Sequence, residues 1–220
     1  MAKIVKSVSI LLFGISCVGK TTVGKLLSQK LGWRFFDVDD GIVKRCGCPI
    51  GEFVENYTCV ERNDVRRSLI LEYLDECFGN KVIAISPMHF KSSFEDIIAR
   101  EDVIAVYLKD KPTNIFKRII FTDDNDQPMD DSEEYKQLHK AYYLREIRED
   151  IKFFDKIYRI IPNVCDIDGR TAEEVAEEIV KILEKKTLNA RLNAPKARLQ
   201  LHPRRFLPRH PPRSQKSHNP

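Results

Sequence analysis

Eight residues near the amino terminus, Gly14-Ile15-Ser16-Cys17-Val18-Gly19-Lys20-Thr21, fit the pattern G-x-x-x-x-G-K-[ST] at each fixed position. The spacing has a chemical reason. The two glycines let the backbone N–H groups of Ser16, Cys17, Val18 and Gly19 turn inward around phosphate oxygens, and a helix that begins there, with Thr22 in its first turn, adds partial positive charge. Lys20 is then placed to reach the β- and γ-phosphates of ATP, and the Thr21 hydroxyl to ligate Mg2+. The chain contains no N-K-x-D or T-K-x-D triplet for guanine recognition and no apolar run ending in Asp-Glu for a motor-type ATPase. Small metabolite and nucleotide kinases are what remain.

Such a loop needs a buried strand before it and a helix after it, and that alternation continues along the chain. Short apolar runs at residues 8–13, 34–38, 81–85, 102–108 and 156–161 read as strands buried on both faces. Helical patterns lie between and after them, at residues 21–31, 63–78, 92–100, 113–120, 133–154 and 171–185. This order predicts an α/β P-loop NTPase fold with a parallel five-stranded sheet flanked by helices. Thr171 ahead of Glu174 makes a capping-box start for the final helix, and Pro112 suits the first turn of an earlier one. The polar, acidic stretch TDDNDQPMDDS supplies a lid segment at about 121–132. The expected organisation is one domain, residues 1–189, followed by a basic, Pro-rich tail at 190–220 that is expected to be disordered.

Of the 220 residues 42% are hydrophobic and 32% charged, and no apolar run approaches the ~20 residues that cross a bilayer. The basic, apolar start runs directly into Gly14 without a cleavage site, which suits a first strand rather than a signal peptide. A cytoplasmic, monomeric protein acting on a small-molecule substrate, without membrane, is the expectation. The net charge of +4 does not argue for nucleic acid. Residues 190–220 hold eight Lys and Arg and no acid, so the rest of the chain carries 29 basic against 33 acidic groups, a net of −4. Six scattered cysteines suit a reducing compartment, and Cys46-x-Cys48 lacks the spacing of a zinc knuckle. Cys17, beside Lys20 at a helix start, is expected to have a lowered pKa if it is exposed.

Residues 19–27 (GKTTVGKLL), 31–32 (LG) and 35–39 (FFDVD), with Ile42, Lys44, Gly47 and Ile50, follow the order and spacing of the shikimate kinase family. The chain resembles that family over about residues 7–185, closely in the first fifty and architecturally beyond. The resemblance implies transfer of the ATP γ-phosphate to a hydroxyl of a small carboxylated polyol such as shikimate, with Mg2+. It implies a place for Asp37 near the metal beside Thr21, and for Asp39 contact with the acceptor hydroxyls and the role of base. A carboxylate at the C-terminal end of a strand neighbouring the loop strand sits where such sheets bind ligands. Arg118, after the fourth strand, and Arg170, in the adenine-side loop, are implied to meet the nucleotide. Arg62, Arg145 and Arg148 are the candidates for the acceptor carboxylate.

Three departures bear on the acceptor. Ser86-Pro87-Met88 stands where the family has a glycine triplet, Gln127-Pro128 where it has a lid Arg-Pro, and Arg62 meets the family's Phe-Arg-x-x-Glu segment only after a shift of one residue. A gluconate-type or nucleoside monophosphate kinase is therefore an alternative. So is a nucleotide-binding regulatory domain without turnover.

Overall fold

The structure, a computed structural model, describes residues 7–75, 79–121 and 132–192. The loop strand β1 (Ser9–Phe13) is buried along its whole length, which is what SILLF demands when both faces of the sheet are covered. After the phosphate loop come α1 (Lys20–Leu31), β2 (Arg34–Asp37), α2 (Val38–Cys46), α3 (Ile50–Asn56) and α4 (Cys59–Asp75). Then follow β3 (Lys81–Ala84), a 3-10 turn at Lys91–Ser93, α5 (Glu95–Ile98), β4 (Val103–Lys109), α6 (Pro112–Arg118), α7 (Ser132–Tyr158), β5 (Asn163–Asp166) and α8 (Ala172–Leu192). The five strands are all parallel, in the order β2-β3-β1-β4-β5. Helices return the chain between them, as parallel pairing requires. No helix among the described residues is long and apolar enough to cross a membrane.

Local chemistry sets the helix ends. Gly32, at φ 66°, closes α1 with its N–H on Gln29 O, and Trp33 N–H reaches Ser28 O. Capping boxes open α4 and α8: Thr58 N donates to Glu61 and Glu61 N to Thr58 Oγ1, and Thr171 and Glu174 exchange the same pair of bonds. Lys81, fully buried, closes the other end of α4 through Nζ donated to the carbonyls of Tyr73 and Leu74. An aromatic nucleus of Phe13, Phe94, Tyr107, Phe154 and Tyr158, with ring centroids 5.1–5.7 Å apart, packs the end of α7 under the sheet.

Four expectations change. Residues 156–161 are not a strand: they hold the last turn of α7 and the turn beyond it, and the fifth strand is Asn163–Asp166. Phe154 and Tyr158 stack at helical spacing, so burial of the i, i+4 pair outweighs the local β-like composition. Residues 92–100 form a broken pair of short turns instead of one helix. The helices α2 and α3 had no expected counterpart. Helix α8 runs to Leu192, past the expected boundary at 189, while the lid residues 122–131, including Gln127-Pro128, and residues 193–220 lie outside the described residues.

Candidate functional site

The loop between β1 and α1 is shaped by two positions that accept only glycine. At Gly14, φ 153°, a Cβ atom would lie 2.7 Å from Val18 Cγ1 and 2.9 Å from Leu108 O, and Gly19 turns into the helix at φ 111°. Lys20 curls back over this turn, Nζ donating to Gly14 O at 3.1 Å and Ile15 O at 2.8 Å. Burial lowers the lysine's pKa, and the charges of Asp39 and Asp37 pull it back up. Phosphate oxygens would offer this ammonium stronger, charge-assisted acceptors than two neutral carbonyls.

Asp37 joins the loop to the second strand. It ends β2 and caps α2, its Oδ1 accepting the Asp39 N–H at 3.0 Å while Oδ2 accepts the Thr21 hydroxyl at 2.7 Å. Burial raises its pKa chiefly, against the hydrogen bond from Thr21. Two hard oxygens side by side suit Mg2+, which binds through one or two protein ligands and completes its shell with phosphates and water.

Asp39 lies in the first turn of α2, not at a strand end as expected, and shares a cavity of about 470 Å³ with Ser16, Lys20, Thr21, Thr22 and Arg118. Cys17 and Gly19 complete the loop side of that wall. Arg118 is held there by Nε donated to Cys17 O at 3.1 Å and by its ion pair with the fully buried side chain of Asp110 at 2.5 Å. It also borders a second cavity, about 190 Å³, whose wall includes Val18 and Arg170. Arg170 is anchored by Glu178. The structure thus brings most of the expected loop residues together with Asp39, Arg118 and Arg170 around two cavities that share Arg118, Gly19 and Thr22, while Asp37 lines neither and reaches the site through its bond from Thr21.

The arginines expected on the acceptor carboxylate are not gathered in this way. Arg145 is exposed and pairs with Glu146 at 3.3 Å. Arg148 lines a different cavity of about 250 Å³ with Lys109, Lys111 and Asp166. Arg62 donates Nη1 to Val54 O at 3.1 Å, while its buried Nε has no hydrogen-bond partner among the described residues. Sequence reasoning assigned no acceptor role to three further polar residues, Asn63, Arg66 and His89, of which Asn63 accepts the His89 N–H. Arg66, only 4% exposed, donates Nε to Ser86 Oγ at 3.0 Å and lies over the Phe53 ring, yet its Nη1 has no hydrogen-bond partner among the described residues. Its position one helical turn after Arg62 was the available signal. Lys136, buried at the base of α7, was missed too, and its charge reaches Cys17.

The thiol of Cys17 departs from expectation. The residue is exposed, yet partial burial of its thiol pushes the pKa up, against Lys20, Arg118 and Lys136, which lower it. Cys46, Cys48, Cys59 and Cys165 are free thiols, and Cys77 lies outside the described residues.

Comparison with known proteins agrees with this geometry. A protein of Moorella thermoacetica described as shikimate kinase is 31% identical over 181 residues, covering 80% of this chain and 94% of its own. The shikimate kinase of Bacteroides thetaiotaomicron superposes with a TM-score of 0.63 at 22% identity, over 80% of this chain and 98% of that one. A shikimate kinase from Acinetobacter baumannii, solved in complex with shikimate, gives 0.62 at 21% identity, over 83% and 96%. The family model described as Shikimate kinase matches residues 16–184, most of the chain, and with it the chain belongs to the shikimate kinase family.

Proposed function

We propose that this protein is an ATP-dependent phosphotransferase that moves the γ-phosphate of ATP to a hydroxyl of shikimate. The observation that carries the reading is the single cavity in which the phosphate loop, with Lys20 on its floor, faces Asp39 across a gap fit for a small molecule. The loop's N–H groups and Lys20 hold the phosphates, Arg118 and Arg170 border the nucleotide side, and Asp39 aligns the attacking hydroxyl and takes its proton. Thr21 and Asp37 would hold Mg2+, which when bound neutralises charge on the phosphates. Excluding water falls to whatever covers this open site.

One observation favours a different small polyol acid as acceptor. Met88 is fully buried with its N–H donated to the Tyr158 hydroxyl at 2.9 Å, and Pro87 has no N–H, so the segment after β3 cannot offer the open backbone of a glycine triplet. Assaying ATP consumption with shikimate, gluconate and nucleoside monophosphates separates these readings, and no turnover with any of them leaves only a regulatory nucleotide-binding domain. On the acceptor that is used, Lys20→Ala is expected to lower turnover by ~10³-fold or more with the fold retained. A variant within about tenfold of the parent, ~1.4 kcal/mol in barrier, would remove Lys20 from the mechanism.

A further inference from the structure

Asp110 directly follows β4, and its side chain is fully buried. Its Oδ1 accepts the Lys111 N–H at 2.7 Å and Asn114 Nδ2 at 2.8 Å, and its Oδ2 accepts Arg118 Nη2 at 2.5 Å. Residues 114 and 118 are one helical turn apart, so they share the face of α6 that turns back to Asp110. The same guanidinium holds the phosphate loop through Nε donated to Cys17 O at 3.1 Å, across 101 positions of sequence. One buried carboxylate thus ties the end of β4, α6 and the loop together, and Arg118 forms the wall shared by both cavities of the site.

The residue that Arg118 holds is a strained one. Cys17 has φ 59°, and among the described residues only Asp168 shares the left-handed region without being glycine. Aspartate is enriched in that region, whereas cysteine is not. A left-handed residue in such a turn is what gathers successive N–H groups into one concavity for an anion. The loop's own bond there is long, Val18 N–H to Ile15 O at 3.4 Å. Lys20 bonds the carbonyls of Gly14 and Ile15, but it gives them up when it turns to phosphate oxygens. What then remains on the strained turn is Arg118, and a side chain of that length keeps one geometry only when it is anchored. We propose that Asp110 is a positioning residue that acts through Arg118: it holds the guanidinium on the Cys17 carbonyl, keeps the loop in its phosphate-binding shape, and so sets the affinity for ATP. The proposal rests on the phosphotransferase reading for its ligand.

The test measures binding of ATP and of inorganic tripolyphosphate, each with Mg2+, to the full-length parent and its variants by calorimetry. Asp110→Asn keeps the shape but weakens the bond to Arg118, and is expected to raise the Kd of both ligands by about tenfold. Equal loss for the two places the effect at the loop, and a change of less than twofold for tripolyphosphate overturns the proposal. In an Arg118→Met background the same change should move the Kd less than twofold, because the carboxylate then has no guanidinium to hold. In a Cys17→Gly background, where a left-handed φ carries no strain, it should cost no more than about threefold. A merely structural role would add in full, so a tenfold loss that persists in either background overturns the proposal. Should Asp110→Asn not fold, Asn114→Ala removes one donor to the same carboxylate and is read in the same two backgrounds, with about a threefold loss expected in the parent. A parent that binds no ATP overturns the phosphotransferase reading and this proposal with it. Binding of ATP without turnover of shikimate overturns that reading alone, since the role of Asp110 is read from binding.

Discussion

Two aspartates two positions apart carry different work because α2 begins between them. Asp37 is buried, accepts from Thr21 and caps the helix, while Asp39, a half-turn later, turns to the cavity. Asp39→Asn should therefore keep ATP affinity but lower the rate of transfer by ~10²-fold or more, because the amide is nearly isosteric yet cannot take the proton. Asp37→Asn should instead raise the Mg2+ concentration needed for half-maximal rate while transfer at saturating Mg2+ falls less. Titrating Mg2+ for both variants separates the roles, and equal behaviour of the two would show that neither assignment holds. The order F-x-D-x-D was legible in the sequence. That the second acid sits on a helix was not, because α2 depends on the Asp37 cap and on Val38 and Ile42 packing into the core, contacts made across the fold.

At the level of elements, the sheet and its order of helices were readable because strands such as SILLF and VIAVYLK are apolar without interruption, a pattern only a doubly covered sheet requires. The fifth strand was misread because NVCD is half exposed and short, whereas the preceding turn of α7 is richer in apolar side chains. Tyr158 is fully buried and accepts the Met88 N–H, so one helix end fixes the segment that carries Ser86 and His89. Tyr158→Phe leaves that buried N–H without a partner, at a cost of about 1–3 kcal/mol. Chemical denaturation should show this loss. The KM for the acceptor should rise while that for ATP stays put, and a variant that changed neither stability nor acceptor KM would uncouple α7 from the site. Neither this link nor the bond from Arg66 to Ser86 was visible in sequence, since they join residues 70 and 20 positions apart.

For the whole molecule, charge and composition divide the chain more sharply than any motif does. Beyond residue 189 there are eight basic residues, six prolines and no acid, while the rest carries a net charge of −4. The boundary drawn from composition falls within α8, which runs to Leu192, so a cut at 189 would remove helix as well as tail. The family match ends earlier, at residue 184, and every residue assigned here to phosphate, metal or acceptor lies before that point. Residues 193–220 have no apolar period with which to pack, and prolines at six positions of the tail oppose extension of the helix. Truncation after Leu192 should therefore leave the melting temperature within about 3 °C of the parent, less than ~1 kcal/mol for a domain of this size. It should also leave the KM for ATP and for the acceptor unchanged at moderate ionic strength, where exposed charges beyond about 8–10 Å are screened. The isoelectric point should move from basic to acidic. A lower KM for ATP in the full chain at low salt, lost on truncation and on adding salt, would instead mean that the basic tail draws the anionic nucleotide toward the site and belongs to the working enzyme.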